Sequence, residues 1–286
     1  MNIAAGIRVR ITTPARFVIT CLLLCPVVGW AQAGLDSKWI AYNRAGAPNS
    51  SLQCFTSNNI KISDGYLVLM TKAETMSCKS FDIPQGPHRY TSGFVAMRTF
   101  NFLYGTIELR AKFGGGMNSG SWPVVWLLDS SCQASDPTGT DDSCTGQEID
   151  LAEILDGNFG QVNEQIHIDN KHNDGCKPQV SDVSQNFHVY QMDWAAGLLV
   201  FRIDGKTTCT IAMKYVPSRP MYLKFSVHVG SYGGPVKESS LPWATMIDYV
   251  KVSQGSNVIF EDQFNTPSAP QPTPAKRKPR TRAKPE

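Results

Sequence analysis

The chain has 286 residues, 27 Lys and Arg against 24 Asp and Glu, and a formal net charge of +3. The segment from Thr266 to Glu286 alone carries six basic residues and one Glu, so the remaining body is near neutral or slightly acidic and the basic balance belongs to the tail. No run of basic residues interleaved with aromatics occurs in that body, which argues against a nucleic-acid partner.

The chain opens with Arg8, Arg10 and Arg16, then an apolar run from Phe17 to Gly29, then Ala31-Gln32-Ala33. This is the layout of a signal peptide, residues 1–33, with a small-residue cleavage site. The run is too short for a bilayer, which takes about 20 apolar residues. A lipid anchor on Cys25 is disfavoured because Leu24 precedes it where a small residue is wanted. The expected mature protein is secreted, extracellular or periplasmic. Six of the eight cysteines remain in it: Cys54, Cys78, Cys132, Cys144, Cys176 and Cys209. An even number in an exported chain points to disulfides, and sequence order favours 54 with 78, 132 with 144 and 176 with 209. None forms a C-x-x-C pair and histidines are scattered, so a zinc cluster is not expected.

From Gly34 to Asn265 short β-rich runs recur between Gly, Pro, Asn and Asp. In chain order they are YLVLMTK from Tyr66, GFVAMR from Gly93, TIELRAKF from Thr106, WPVVWLL from Trp122 and EIDLAEIL from Glu148. EQIHI from Glu164, HVYQMDW from His188, LLVFRIDG from Leu198, MYLKFSVHV from Met221 and TMIDYVKVS from Thr245 follow. Helical periodicity is poor, and evenly spaced strands with turn signals predict one all-β domain over 34–265, with two antiparallel sheets packed face to face. TIELRAKF alternates, placing Ile107, Leu109, Ala111 and Phe113 on one face and Glu108, Arg110 and Lys112 on the other, toward water or ligand. From Thr266 the Pro-rich, then Lys- and Arg-rich segment cannot bury a core and is expected to be a disordered tail, residues 266–286.

The informative segment is Glu148-Ile149-Asp150-Leu151-Ala152-Glu153. In a regular strand Glu148 and Asp150 share a face while Glu153 points the other way. One extra residue, a β-bulge near Leu151 or Ala152, would return Glu153 to that face. Three carboxylates would then line one surface, with the two Glu carboxyls able to approach to about 5 to 6 Å, the separation of a retaining glycosidase. Like charges so close repel, so the group should keep at least one proton and supply both a charged nucleophile and a protonated acid. Taken alone, such a spacing is more often a polar strand face than an active site.

The surrounding residues change that weighting. YTSGFVAMRTFNFLYGTIELRAKF from Tyr90, GSWPVVWLL from Gly120, EIDLAE from Glu148, FHVYQMDW from Phe187, RIDG from Arg202 and IDYVKV from Ile247 together resemble glycoside hydrolase family 16 in order and spacing. The resemblance implies a jelly-roll sandwich with a concave glycan-binding cleft. It implies Glu148 as nucleophile, Asp150 as the acid that tunes it and Glu153 as acid/base, in the bulged, laminarinase-like branch. It favours Trp126 as cleft-lining and Arg110 as a sugar-hydroxyl contact; Trp122, Trp194 and His167 are further candidates, each tryptophan as well suited to the core as to a cleft. It admits a structural calcium at Asp248 and requires no other cofactor.

Two stretches depart from the family. Ser143-Cys144-Thr145-Gly146-Gln147 lacks the Trp often found before the first catalytic Glu, and Phe225 to Gly230 carries Ser226 and His228 where Asn and Ala are common. The expected function is secreted endo-hydrolysis of a β-1,3 or mixed-linkage β-1,3/1,4 glucan by a monomer. Transglycosylation, another polysaccharide such as a galactan, and a non-catalytic glycan-binding jelly roll are the alternatives. The basic tail could contact acidic cell-surface polymers through charge alone.

Overall fold

The computed structural model describes residues 35–46, 51–80, 83–84, 86–133, 146–168 and 173–265. The expected signal peptide, the basic tail and Cys144 lie outside the described residues.

Twenty strands are described, with only short 3-10 turns among them. The first ten are β1 (Trp39–Ala41), β2 (Arg44–Ala45), β3 (Gln53–Phe55), β4 (Ile60–Ser63), β5 (Tyr66–Met76), β6 (Lys79–Ser80), β7 (Ile83–Pro84), β8 (His88–Ser92), β9 (Phe94–Met97) and β10 (Gly105–Lys112). The remainder are β11 (Ser121–Asp129), β12 (Glu148–Glu153), β13 (Asn163–His167), β14 (Asn173–Cys176), β15 (His188–Ala195), β16 (Leu198–Ile203), β17 (Lys206–Ala212), β18 (Met221–Val229), β19 (Trp243–Gln254) and β20 (Asn257–Asp262). They form a jelly-roll sandwich. A seven-stranded sheet runs β1-β9-β18-β11-β12-β13-β14, and an eleven-stranded sheet runs β17-β16-β15-β10-β19-β5-β8-β3-β2 with β20 and β4 at its side. Pairing is antiparallel throughout apart from the short parallel contact of β3 with β8.

The core fills the space between the sheets, and each strand contributes every second residue. From the larger sheet come Ile107, Leu109, Ala111, Tyr190, Met192 and Phe201, all without exposed surface. From the smaller come Val125, Leu127, Ile149, Ile166, Phe225 and Val227, at most 1% exposed. Each large apolar side chain so enclosed contributes about 1.5–3 kcal/mol of transfer free energy. The alternation predicted for Thr106–Phe113 is realised: the apolar residues face inward, and Glu108, Arg110 and Lys112 point out of the sandwich.

Two disulfides, Cys54–Cys78 and Cys176–Cys209, match the pairing expected from sequence order. The second ties β14 of the smaller sheet to β17 of the larger, a staple across the sandwich edge. Cys132 is also disulfide-bonded.

Candidate active site

β12 lies inside the seven-stranded sheet between β11 and β13, so its backbone is paired on both sides and its outward side chains stand on a fixed floor. Toward β11, Trp126 pairs with Asp150 and Val125 with Ala152, which skips Leu151. Toward β13, Gln165 pairs with Asp150 and Asn163 with Glu153, so Leu151 and Ala152 together oppose Glu164. Both ladders place the extra residue between Asp150 and Glu153, and the ladder with β11 identifies it as Leu151. Leu151 and Ala152 both turn into the core, 1% and 0% exposed, and Glu153 returns to the face that carries Glu148 and Asp150.

The neighbouring strands add polar and aromatic groups to that face. From β11, the Trp122 Nε1–H donates to Glu153 Oε1 at 2.7 Å. From β13, the Gln165 Nε2–H donates to Glu153 Oε2, so both oxygens of that carboxyl are held. His167 of β13 brings its Nε2 to 3.2 Å from Asp150 Oδ2. Trp126 donates to Ser226 Oγ at 3.1 Å, and its ring carries the Lys224 ammonium 3.8 Å from the centroid. His228 packs against Trp122 with ring centroids 4.4 Å apart. The result is a carboxylate group flanked by aromatic surface on one side and an imidazole on the other.

Burial is the first cause acting on all three acids. It pushes Glu148 well above the usual carboxylate range, the charge of Asp150 adds to this, and His167 and Lys224 partly offset it. Burial likewise raises Asp150, with the charge of Glu153 next; hydrogen bonds from Glu148 and Gln165 work in the opposite direction. Glu153 is raised by burial against the Trp122 and Gln165 hydrogen bonds and the nearby His167 and Lys177. Three acids that each resist ionisation, in contact, hold protons jointly rather than singly. Such a group can present one carboxylate and one carboxylic acid at the same pH.

Of the residues singled out from the sequence, Glu148, Asp150, Glu153, Trp122, Trp126 and His167 come together on this face. Two do not. Arg110 stands on β10 of the other sheet and points outward, where its Nη1 is 2.6 Å from Asp248 Oδ2 and its guanidinium lies over Phe187. Trp194 is 2% exposed, packs against Phe102 and Tyr104 and donates to the Pro217 carbonyl, so it is a core residue. The alternation read for the strand of Arg110 holds, and the sheet on which both residues stand turns one face to bulk water and the other to the core. Asp248 occupies the bulge of β19 opposite Arg110. Its carboxylate is taken up by that guanidinium, and no group of three metal-ligating side chains includes it among the described residues. That oxygen is thus given to the guanidinium rather than left for a cation.

Gln165 and Lys224 were not singled out from the sequence. Gln165 stands two residues before His167 on the same strand, so the period-two rule already placed it on the same face. Lys224 interrupts the apolar run MYLKFSVHV, and a cation inside such a run is a signal in itself.

Residues 50–253 match the model of the family described as Glycosyl hydrolases family 16. The glucan endo-1,3-β-glucosidase A1 of Niallia circulans is 27% identical over 237 residues, covering 72% of this chain and 33% of that protein. The endo-1,3-1,4-β-glycanase EglC of Rhizobium meliloti (strain 1021) is 26% identical over 234 residues, covering 79% and 45%. The chain thus spans less than half the length of either relative. Among solved structures, the laminarinase catalytic domain from Thermotoga maritima MSB8 is similar with a TM-score of 0.65 and 25% identity, over 76% of this chain and 92% of that one.

Proposed function

Since the chain belongs to glycosyl hydrolase family 16, we propose that it is a secreted, retaining endo-β-glucanase acting on internal β-1,3 or mixed β-1,3/1,4 linkages. The observation that carries this reading is the bulge at Leu151, which gathers Glu148, Asp150 and Glu153 on one face beside Trp122 and Trp126. The names of the relatives in Niallia and Rhizobium supply the glucan. The disulfides Cys54–Cys78 and Cys176–Cys209 support export.

The roles follow from position. Glu153 retains a proton because it is enclosed, and it delivers that proton to the departing glycosidic oxygen. Glu148, beside Lys224 and His167, passes its proton toward Asp150 and attacks the anomeric carbon as a carboxylate. Water then enters against Glu153, now the base, and releases the sugar with net retention. Trp126 and Trp122 offer flat apolar surface to sugar rings. The electropositive edge of the floor, Lys224 and His167, limits the repulsion that three carboxylates would otherwise exert.

The test is reducing-sugar release from laminarin, barley β-glucan, agarose and xyloglucan, with Glu148→Gln as control. Cleavage of the first two, reduced by at least about 10³-fold in the variant, is expected from loss of the nucleophile. Cleavage of agarose alone would replace the glucan with a galactan, and affinity without turnover would make the chain a binding module.

A further inference from the structure

Building on this reading of Glu153 as acid/base, we propose that Gln165 is a positioning residue that keeps the Glu153 proton apart from the proton shared by Glu148 and Asp150. Gln165 stands in register with Asp150 on the neighbouring strand, and its side-chain amide donates to Glu153 Oε2. The same residue thus faces Asp150 across the ladder while its amide is committed to Glu153. The amide is therefore a wedge between the middle acid and the outer one. On the far side of Glu153, the Trp122 indole N–H occupies Oε1.

The chemistry of these donors matters. Two carboxyl groups in direct contact share a proton through a short O–H···O bond and titrate as a pair. Glu148 and Asp150 are the close pair here, with carboxylate oxygens within 4.8 Å of each other. An amide or indole N–H gives a hydrogen bond but does not take up or relay a proton at these pH values. Placing Gln165 between Asp150 and Glu153 thus divides three coupled acids into a proton-sharing pair and a separate acid. A retaining mechanism needs that division, because the nucleophile must be able to lose its proton while the acid/base keeps its own.

The wedge is also mechanically fixed. Gly175 of β14 lies directly opposite Gln165, and a Cβ there would come to 2.6 Å from the Gln165 Cβ. The edge strand therefore runs so close to β13 that only a glycine fits beside the stem of the glutamine. His167, two residues further along β13, is directed to Asp150. A merely structural glutamine would fill the same space, so the distinguishing property is its effect on when Glu153 ionises.

The experiment uses the full chain and Gln165→Met, which keeps length and volume but removes the donor. The Trp122 indole N–H bonds Glu153 directly, so its ¹⁵N-edited proton resonance follows Glu153 ionisation in the free protein, with no substrate required. Loss of a donor to the carboxylate favours the protonated acid, and the titration midpoint should rise by about one pH unit. The alkaline limb of kcat/KM on laminarin, where Glu153 loses the proton it must deliver, should move the same way. An unshifted midpoint in folded Gln165→Met overturns the proposal, even if the rate falls. If that variant does not fold, Gln165→Thr is read by the same resonance with the same criterion. Failure to cleave any glucan would remove the functional reading while leaving the indole titration to decide the role of Gln165.

Discussion

Glu164 neighbours Gln165 in sequence but points the opposite way, into the sandwich, and is 1% exposed. Its Oε1 accepts from Thr208 Oγ1 at 2.7 Å, and its Oε2 is buried with no hydrogen-bond partner. Burial pushes its pKa up to about 7 from 4.5, the Thr208 bond acting against this. The folded chain therefore binds this proton more tightly than the unfolded chain. Stability from this residue is complete below the unfolded value, falls as pH rises through the folded one, and is reduced by about 3 kcal/mol above it. Glu164→Gln keeps the acceptor for Thr208 and removes the charge. Urea unfolding at pH 5 and pH 8 should show a smaller loss in the variant than in the parent; identical losses would mean that Glu164 does not titrate in this range. The same residue scale explains Arg110, whose charge is matched by Asp248 on the outer surface rather than by a sugar.

At the scale of elements, the site depends on three strands acting as layers of support: β14 backs β13, and β13 holds the acids of β12. The junction is Gly175, where an added Cβ would meet the Glu164 carbonyl oxygen at 2.5 Å and the Gln165 Cβ at 2.6 Å. A backbone oxygen cannot swing aside as a side chain can, so Gly175→Ala has to push β14 away from β13. The expected cost is about 1–3 kcal/mol, typical of overpacking, together with a lower kcat as Gln165 is displaced. Thermal unfolding and initial rates on laminarin check this, and no change in either would show that β14 is free to yield. The bulge was legible at this scale because Glu-x-Asp-x-x-Glu breaks the period of two, and a strand that needs all three acids on one face has to absorb an extra residue. The ladder with β11, which pairs Ala152 with Val125, fixes that residue as Leu151 rather than Ala152.

Over the whole molecule, the two sheets are joined by their shared core and by the Cys176–Cys209 disulfide at one edge, which closes 33 residues of chain. Replacing both cysteines with serine should lower unfolding free energy by about 3 kcal/mol, chiefly through the freedom restored to the unfolded chain. A shifted urea midpoint with activity kept under native conditions is expected; an unshifted midpoint would mean that the core alone fixes the sheets. The sequence by itself determined the all-β class, the inward and outward residues of β10 and the three acids with their bulge, because each follows from the local period of a strand. Only the tertiary structure decided that Trp122 and Trp126 stand beside the acids while Trp194 is core and Arg110 faces water. It alone showed Gln165 between two carboxyls and Lys224 on Trp126. Alternation states which residues share a face. Whether that face meets a cleft, the opposing sheet or bulk water depends on which strands become neighbours, and that is set by packing across distant parts of the chain.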